Sequence, residues 1–227
     1  VYSEEILEKN ATANQKRINE LIKMANSSFF GFVKKSKNVK EAVQRLGLKR
    51  TRNVAYSLSV GDLIKGEKSA EGEEREYSPY NVWVHSVAAA TLEDLLAKHS
   101  GSRKVRPIAD QAFLAGLVHD MGIILADQYM HKKYYSIPGM TTYLNKTLPH
   151  VESRYLEFTH ADLGALVLEK WKFPPEIVEA IREHHDPGKN MDNPLTPLTG
   201  LTEYVLASEG FPGFPDIPPD FHATGLE

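Results

Sequence analysis

Cysteine is missing altogether from these 227 residues. Its absence excludes disulfides and thiolate ligands, so any metal site must draw on His, Asp and Glu. Charge of one sign is not in excess either: 27 Lys and Arg stand against 30 Asp and Glu, for a net charge of −3. No whole-chain basic field therefore directs the protein to nucleic acid. Apolar runs long enough to span a bilayer are lacking, because the longest, Ala112–Ala126, is interrupted by His119 and Asp120. No secretory signal pattern opens the chain, and together with the lack of cysteine this leads to the expectation of a cytoplasmic location. The opening residue is Val1 rather than Met, which suggests a piece of a longer protein. Strand-like alternation and repeat periods are also lacking, so the predicted fold is all-α.

What is present is centred on Ala112–Ala126, AFLAGLVHDMGIILA. Good helix formers without proline predict one helix buried on nearly all sides. An imidazole and a carboxylate in its middle are costly to bury alone. His119 and Asp120 must have partners: a hydrogen-bond network, a salt bridge or a metal ion.

Around this stretch the chain divides into helices with legible ends. Residues 4–26 predict one or two amphipathic helices closed by the turn NSSFFG. Asn38 with Glu41 makes an approximate capping box before Val39–Leu46, and Gly47 ends that helix. A second helix, about Lys49–Ile64, follows at once. Its basic start, Lys49, Arg50 and Arg52, is compatible with a helix-turn-helix, but a plain helical hairpin with solvated charges is the commoner arrangement. Gly66–Tyr77 is a charged loop joining a 1–66 subdomain to a 78–210 core. Ser78-Pro79 starts a helix to about His99, with Val84, Val87, Ala88, Thr91, Leu92 and Leu95 on its expected core side. Asp127–Val151 has weak periodicity. Thr159 with Asp162 caps a helix His160–Trp171, with Leu163, Leu166, Val167 and Trp171 at core spacing. Further helices are expected at Glu176–His185 and from Thr196-Pro197 to about Gly210, and 211–227 reads as an extended tail draped on the surface.

The metal-capable residues on these helices are His85, His119, Asp120, His160, His184, His185 and Glu203. Taken singly, each has a plain explanation: a hydrogen-bonded core or surface histidine, a histidine pair favouring a helix C-terminus, an exposed glutamate. Taken together, imidazoles and carboxylates projecting inward from several helices are how bundle cores hold one or two first-row metals. The nitrogen and oxygen donors suit Fe, Mn, Zn, Ni or Co rather than Cu(I).

The order H…HD…H…HH…(D) resembles the HD superfamily of metal-dependent phosphohydrolases, and in particular its HDOD branch, the HD-related output domain of bacterial signalling proteins. The resemblance runs from about Leu21 to Gly210. It is carried by ANSSFFG (Ala25–Gly31), EAVQRLG (Glu41–Gly47), FLAGLVHDMG, HADLGALVLEKWKFP and EAIREHH. It implies an HD-domain-like multi-helix bundle with a smaller N-terminal helical subdomain. His85, His119 and Asp120 match the family's first metal-binding positions. His160, His184 and His185 match the extra histidines of binuclear members, notably the cyclic-dinucleotide phosphodiesterases with a GYP motif.

This sequence departs from that pattern at three places. Glu203 stands where the family's last metal aspartate is expected, Ile123 where active phosphodiesterases often carry a lysine, and DPGKN where GYP would follow His184-His185. Two functions are implied. One is a bacterial signal-transduction module that binds one or two divalent ions and acts through a protein partner. The other is a metal-dependent phosphohydrolase on a nucleotide or cyclic dinucleotide, with Asp120 bridging two ions, His160 or His184 holding the second, and Lys189 and Arg182 as phosphate contacts.

Overall fold

The computed structural model describes residues 15–23, 25–26, 34–65, 78–102, 104–105 and 108–214. The expected NSSFFG turn, apart from its first residue, and the Gly66–Tyr77 loop lie outside these, as do 215–227 of the tail. The chain falls into two units, Val1–Leu63 and Ile64–Glu227, and every described element is helical.

The first unit holds α1 (residues 15–23) and most of α2 (Val39–Lys65). The end of α1 is tied down by Asn26, whose side chain donates to the Ser36 carbonyl at 2.8 Å and accepts from the Ser36 amide at 2.6 Å. The start of α2 is capped as the sequence suggests: Glu41 donates its amide to Asn38 Oδ1, while its carboxylate accepts from the Lys37 amide. Gly47 breaks α2 into two helices at φ 77° and ψ 161°, a backbone conformation that a side chain disfavours. Leu21, Ala25, Ala42, Leu46 and Val54 form a small core.

The second unit contains α3 (Pro79–His99), α4 (Ala109–Val118), α5 (Met121–Tyr134), α6 (Ile137–Leu144), α7 (Leu148–Leu156), α8 (His160–Lys170), α9 (Pro175–Glu183), a 3-10 turn (Pro187–Asn190) and α10 (Leu195–Ser208). α3 packs on α4 and α10, α8 on α5 and α9, and α10 also on α4 and α9. Asp127–Val151, where periodicity is weak, forms the end of α5, then α6 and the start of α7. Proline near the N-terminus of α6 and of α7 starts each of these short helices.

Two expected core faces need correction. α3 buries Val82, His85, Ser86, Ala89, Ala90, Glu93 and Ala97, whereas Leu95 is exposed. α8 buries His160, Ala161, Gly164, Ala165 and Leu168, while Leu166 and Trp171 are half exposed. In both helices small residues take the inner face because neighbouring backbones come close there, and the larger side chains are displaced outward. The tail is also not draped on the surface at its start, since Phe214 is buried with Val82, Ile123, Tyr134, Ile137 and Val151.

Ala112–Ala126 is not one helix. It breaks at Asp120 (φ −95°, ψ 9°), which ends α4 and starts α5. Close packing lies next to the break. Gly122 is pressed against the α8 backbone, and a Cβ there would run into the carbonyl group of His160. Gly122→Ala therefore sets backbone against backbone, where neither side can give. It is expected to lower unfolding free energy in denaturant by about 3 kcal/mol, the upper range for overpacking. A loss below about 0.5 kcal/mol would show that the helices can slide apart.

Candidate metal centre

The break between α4 and α5 points His119 and Asp120 into one polar centre, where α3, α8, α10 and the turn after α9 add their own side chains. The residues form two groups sharing one member. His85, His119, Asp120 and Glu203 make the first; Asp120, His160, His184 and His185 make the second. Within each group the candidate ligand atoms lie within 4.8 Å of one another. All are buried except Glu203 and His185, which are partly buried. Asp120 divides its oxygens between them. Oδ2 lies 3.6 Å from His85 Nε2 and 3.3 Å from His119 Nε2, and Oδ1 lies 3.5 Å from His160 Nε2 and 3.9 Å from His184 Nε2.

The outer nitrogens of four histidines are already committed. Nδ1 lies 2.8 Å from the Phe211 carbonyl in His85, 2.8 Å from the Gly116 carbonyl in His119 and 2.6 Å from the Ile181 carbonyl in His184. In His160 it lies 2.8 Å from the Glu152 carboxylate. Each partner oxygen can only accept, so each Nδ1 carries the proton and each neutral ring turns a bare Nε2 lone pair inward. These lone pairs meet other acceptors. His85 Nε2 is 3.2 Å from His119 Nε2, His160 Nε2 is 2.8 Å from His185 Nε2, and Glu203 Oε2 stands 2.9 Å and 3.1 Å from His85 and His119. His184 Nε2 is buried with no hydrogen-bond partner. A centre lined with acceptors and carboxylates needs a positive species, either protons or a metal cation. Nitrogen and oxygen ligands at about 2.0–2.2 Å from an ion fit this donor set and spacing.

Without an ion, protons do part of the work. Burial alone depresses a histidine, but in His160 the Glu152 and Asp120 carboxylates outweigh it and push the pKa up to about 9. His119 and His85 are raised in the same way, against burial, by Asp120 and Glu203. Burial favours a neutral Asp120 and Glu203, yet the facing histidines hold both carboxylates well below the usual range. His184, with burial and its charged neighbours His119 and His160 all acting against a proton, falls to about 4, and His185 is lowered as well. Beside the centre, burial lifts Glu93 to about 8; Thr199 Oγ1 donates to it at 3.3 Å.

All seven sequence-nominated ligand residues meet here, and the two nominated phosphate contacts do not join the groups. Lys189 is an exposed side chain paired with Asp186 at 2.9 Å, and Arg182 faces Glu169 at 3.7 Å. The sequence reading did not nominate Glu152 or Tyr134. Glu152 is fully buried on α7, four positions after the buried Leu148 and next to the buried Val151, so its helical spacing from Leu148 could have placed this carboxylate on an inward face. The backbone carbonyls of Gly116, Ile181 and Phe211 leave no mark in the sequence.

Comparison with known proteins finds the family described as the HDOD domain matching residues 11–187. An uncharacterised protein of Treponema pallidum (strain Nichols) is 26% identical over 170 residues, covering 74% of this chain. The chain spans only about a third of that relative's length, 31%. Among solved structures, an HDOD domain protein with unknown function from Geobacter sulfurreducens superposes with a TM-score of 0.80 at 18% identity, covering 97% of this chain and 71% of that one. A protein of Marinobacter aquaeolei VT8 described provisionally as a signal transduction protein gives 0.72 at 22% identity, over 100% and 50%. One from Shewanella amazonensis SB2B, described provisionally as a phosphohydrolase, gives 0.70 at 19%, over 92% and 71%. At these identities the likeness is one of fold.

The proton-held centre has a pH signature. His160 is raised above its unfolded value of 6.5, so its contribution is fully present below pH 6.5 and is lost as pH rises through about 9. Chelator-treated protein should lose up to about 3 kcal/mol of unfolding free energy across that window. Denaturant titrations at stepped pH measure this, and a flat profile between pH 6.5 and 9 would contradict it.

Proposed function

The chain belongs to the HDOD domain family, and from that premise we propose that it is a signal-transduction module built around a two-ion metal centre, acting through a protein partner. The observation that carries this reading is the convergence of Nε2 lone pairs on Asp120, whose two oxygens serve two separate groups of histidines. His85, His119, Asp120 and Glu203 would hold one ion; Asp120, His160, His184 and His185 would hold the other. Donors that are all nitrogen and oxygen favour Fe, Mn, Zn or Ni.

Two features favour a regulatory role over hydrolysis. Ile123, where the sequence pattern of active enzymes leads one to expect lysine, is buried in an apolar core with Val82, Ile124 and Tyr134. Lys189 is engaged by Asp186. Metal occupancy would instead lock α3, α8, α10 and the α4–α5 junction in one arrangement that a partner can read. Among the described residues no helix is long and apolar enough to cross a membrane.

A second reading, hydrolysis of a nucleotide or other phosphodiester, is favoured by the shared Asp120. A carboxylate between two ions is a recurrent feature of phosphoryl-transfer sites, where bound metal lowers the pKa of water and clamps phosphoryl oxygens. In that case Asp120 would set the spacing of the ions. The partly buried edge formed by Glu203 and His185 would be where substrate reaches the centre.

Elemental analysis of protein purified without chelators tests both. Wild type should carry roughly two equivalents of a first-row metal, Glu203→Ala roughly one, and Asp120→Ala almost none. Wild type without metal, and without uptake on adding it back, would sink both readings. Turnover of phosphodiesters by the loaded protein, abolished in Asp120→Ala, would favour hydrolysis over signalling.

A further inference from the structure

The four histidines with committed Nδ1 atoms are not equivalent. Three donate to backbone carbonyls, which are neutral, and only His160 donates to a carboxylate. That carboxylate is built in with care. Glu152 is fully buried, and its Oε2 accepts from both His160 Nδ1 and the His160 amide, each at 2.8 Å. Its Oε1 accepts from the buried phenol of Tyr134 at 2.7 Å. The chain arranges this by ending α7 with Glu157 in the left-handed region, at φ 66°, so that the start of α8 turns back over Glu152. His160 is the first residue of α8, where free amides and the helix dipole favour a negative charge.

We propose that Glu152 is the positioning residue of the second group, held by Tyr134, and that it makes the second ion's site the tighter of the two. A carboxylate facing Nδ1–H fixes the tautomer, locks the ring and makes Nε2 a stronger donor; removing such a partner typically lowers metal affinity about 10- to 100-fold. Glu152 touches none of the first group in these contacts, so its effect is confined to the ion beside His160 and His184. The buried negative charge of Glu152 also offsets part of that ion's charge, which the carbonyl partners of the first group do not do. This inference rests on the two-ion reading above.

Glu152→Gln is the informative change, because the amide keeps the size and can still accept from His160 while the phenol of Tyr134 accepts from its NH2. Competition titration with Zn2+ and a chromophoric chelator should resolve two ions in wild type. In Glu152→Gln the tighter ion should weaken about 10- to 100-fold while the other keeps its affinity. Thermal unfolding of the metal-free proteins shows whether the variant is folded. The same claim is read without any variant by nitrogen-correlated NMR of Zn2+-loaded wild type, where the His160 Nδ1–H proton should resonate furthest downfield of the four. Equal affinities in wild type and Glu152→Gln, an equal loss at both ions, or a His160 proton no different from the others would overturn the inference and leave the two-ion reading standing. Wild type that takes up no Zn2+ would overturn that reading and this inference together.

Discussion

Each of four buried imidazoles has only one nitrogen left to face inward. The other is spent on an acceptor that cannot give a proton back, namely the carbonyls of Phe211, Gly116 and Ile181 and the carboxylate of Glu152. Lone pairs and carboxylates are thereby concentrated where they repel one another, in a space with little water to screen them. Such a centre is stable only with positive charge in it. Protons supply that charge in part, which is why His119 and His160 rise while Asp120 and Glu203 fall. A metal ion held by these residues would supply the same charge in place of the protons.

The helical frame serves this constraint. Side chains from six elements reach one point only if the backbones behind them approach closely. Small residues permit that: Ala89 and Ala90 on α3, Gly116 on α4, Gly122 on α5, Gly164 on α8 and Gly200 on α10. A Cβ on Gly116 would meet the backbone of Ala89 and Ala90 at 2.8 Å, and one on Gly200 would meet the His184 carbonyl oxygen at 2.9 Å. The segment after α10 completes the enclosure. Phe211 supplies the acceptor for His85, Gly213 lies against the His85 ring, and Phe214 anchors the segment in the core. The first group is therefore partly roofed by the end of the described chain, and the second is braced from below by α7.

Much of this was legible in the sequence because its causes are local. Caps at Asn38 and Thr159, the proline starts of α3 and α9 and the Gly47 break depend on a few adjacent residues, and they stand where expected. The residues that meet at the centre were legible as candidates because histidines and carboxylates set on several apolar helices have few joint explanations. The inner faces of α3 and α8 were not, since hydrophobicity points to Leu95 and Leu166 whereas close packing selects alanine and glycine. The break at Asp120 was hidden because the stretch carries no proline to mark it, and the α8 backbone that packs against Gly122 lies about 40 residues away in the chain. Glu152 acts through a partner eight positions on, across a turn, and no short pattern announces it.

The central claim is that Asp120 stands between two cations rather than within a proton-held network. Diffraction from crystals grown with metal, recorded on both sides of that metal's absorption edge, tests it most directly. Two anomalous peaks about 3.5–4 Å apart, one beside His85 and His119 and one beside His160 and His184, are the expected result. A centre with no anomalous peak, the histidines still in hydrogen-bond contact with Asp120 and Glu203, would contradict it.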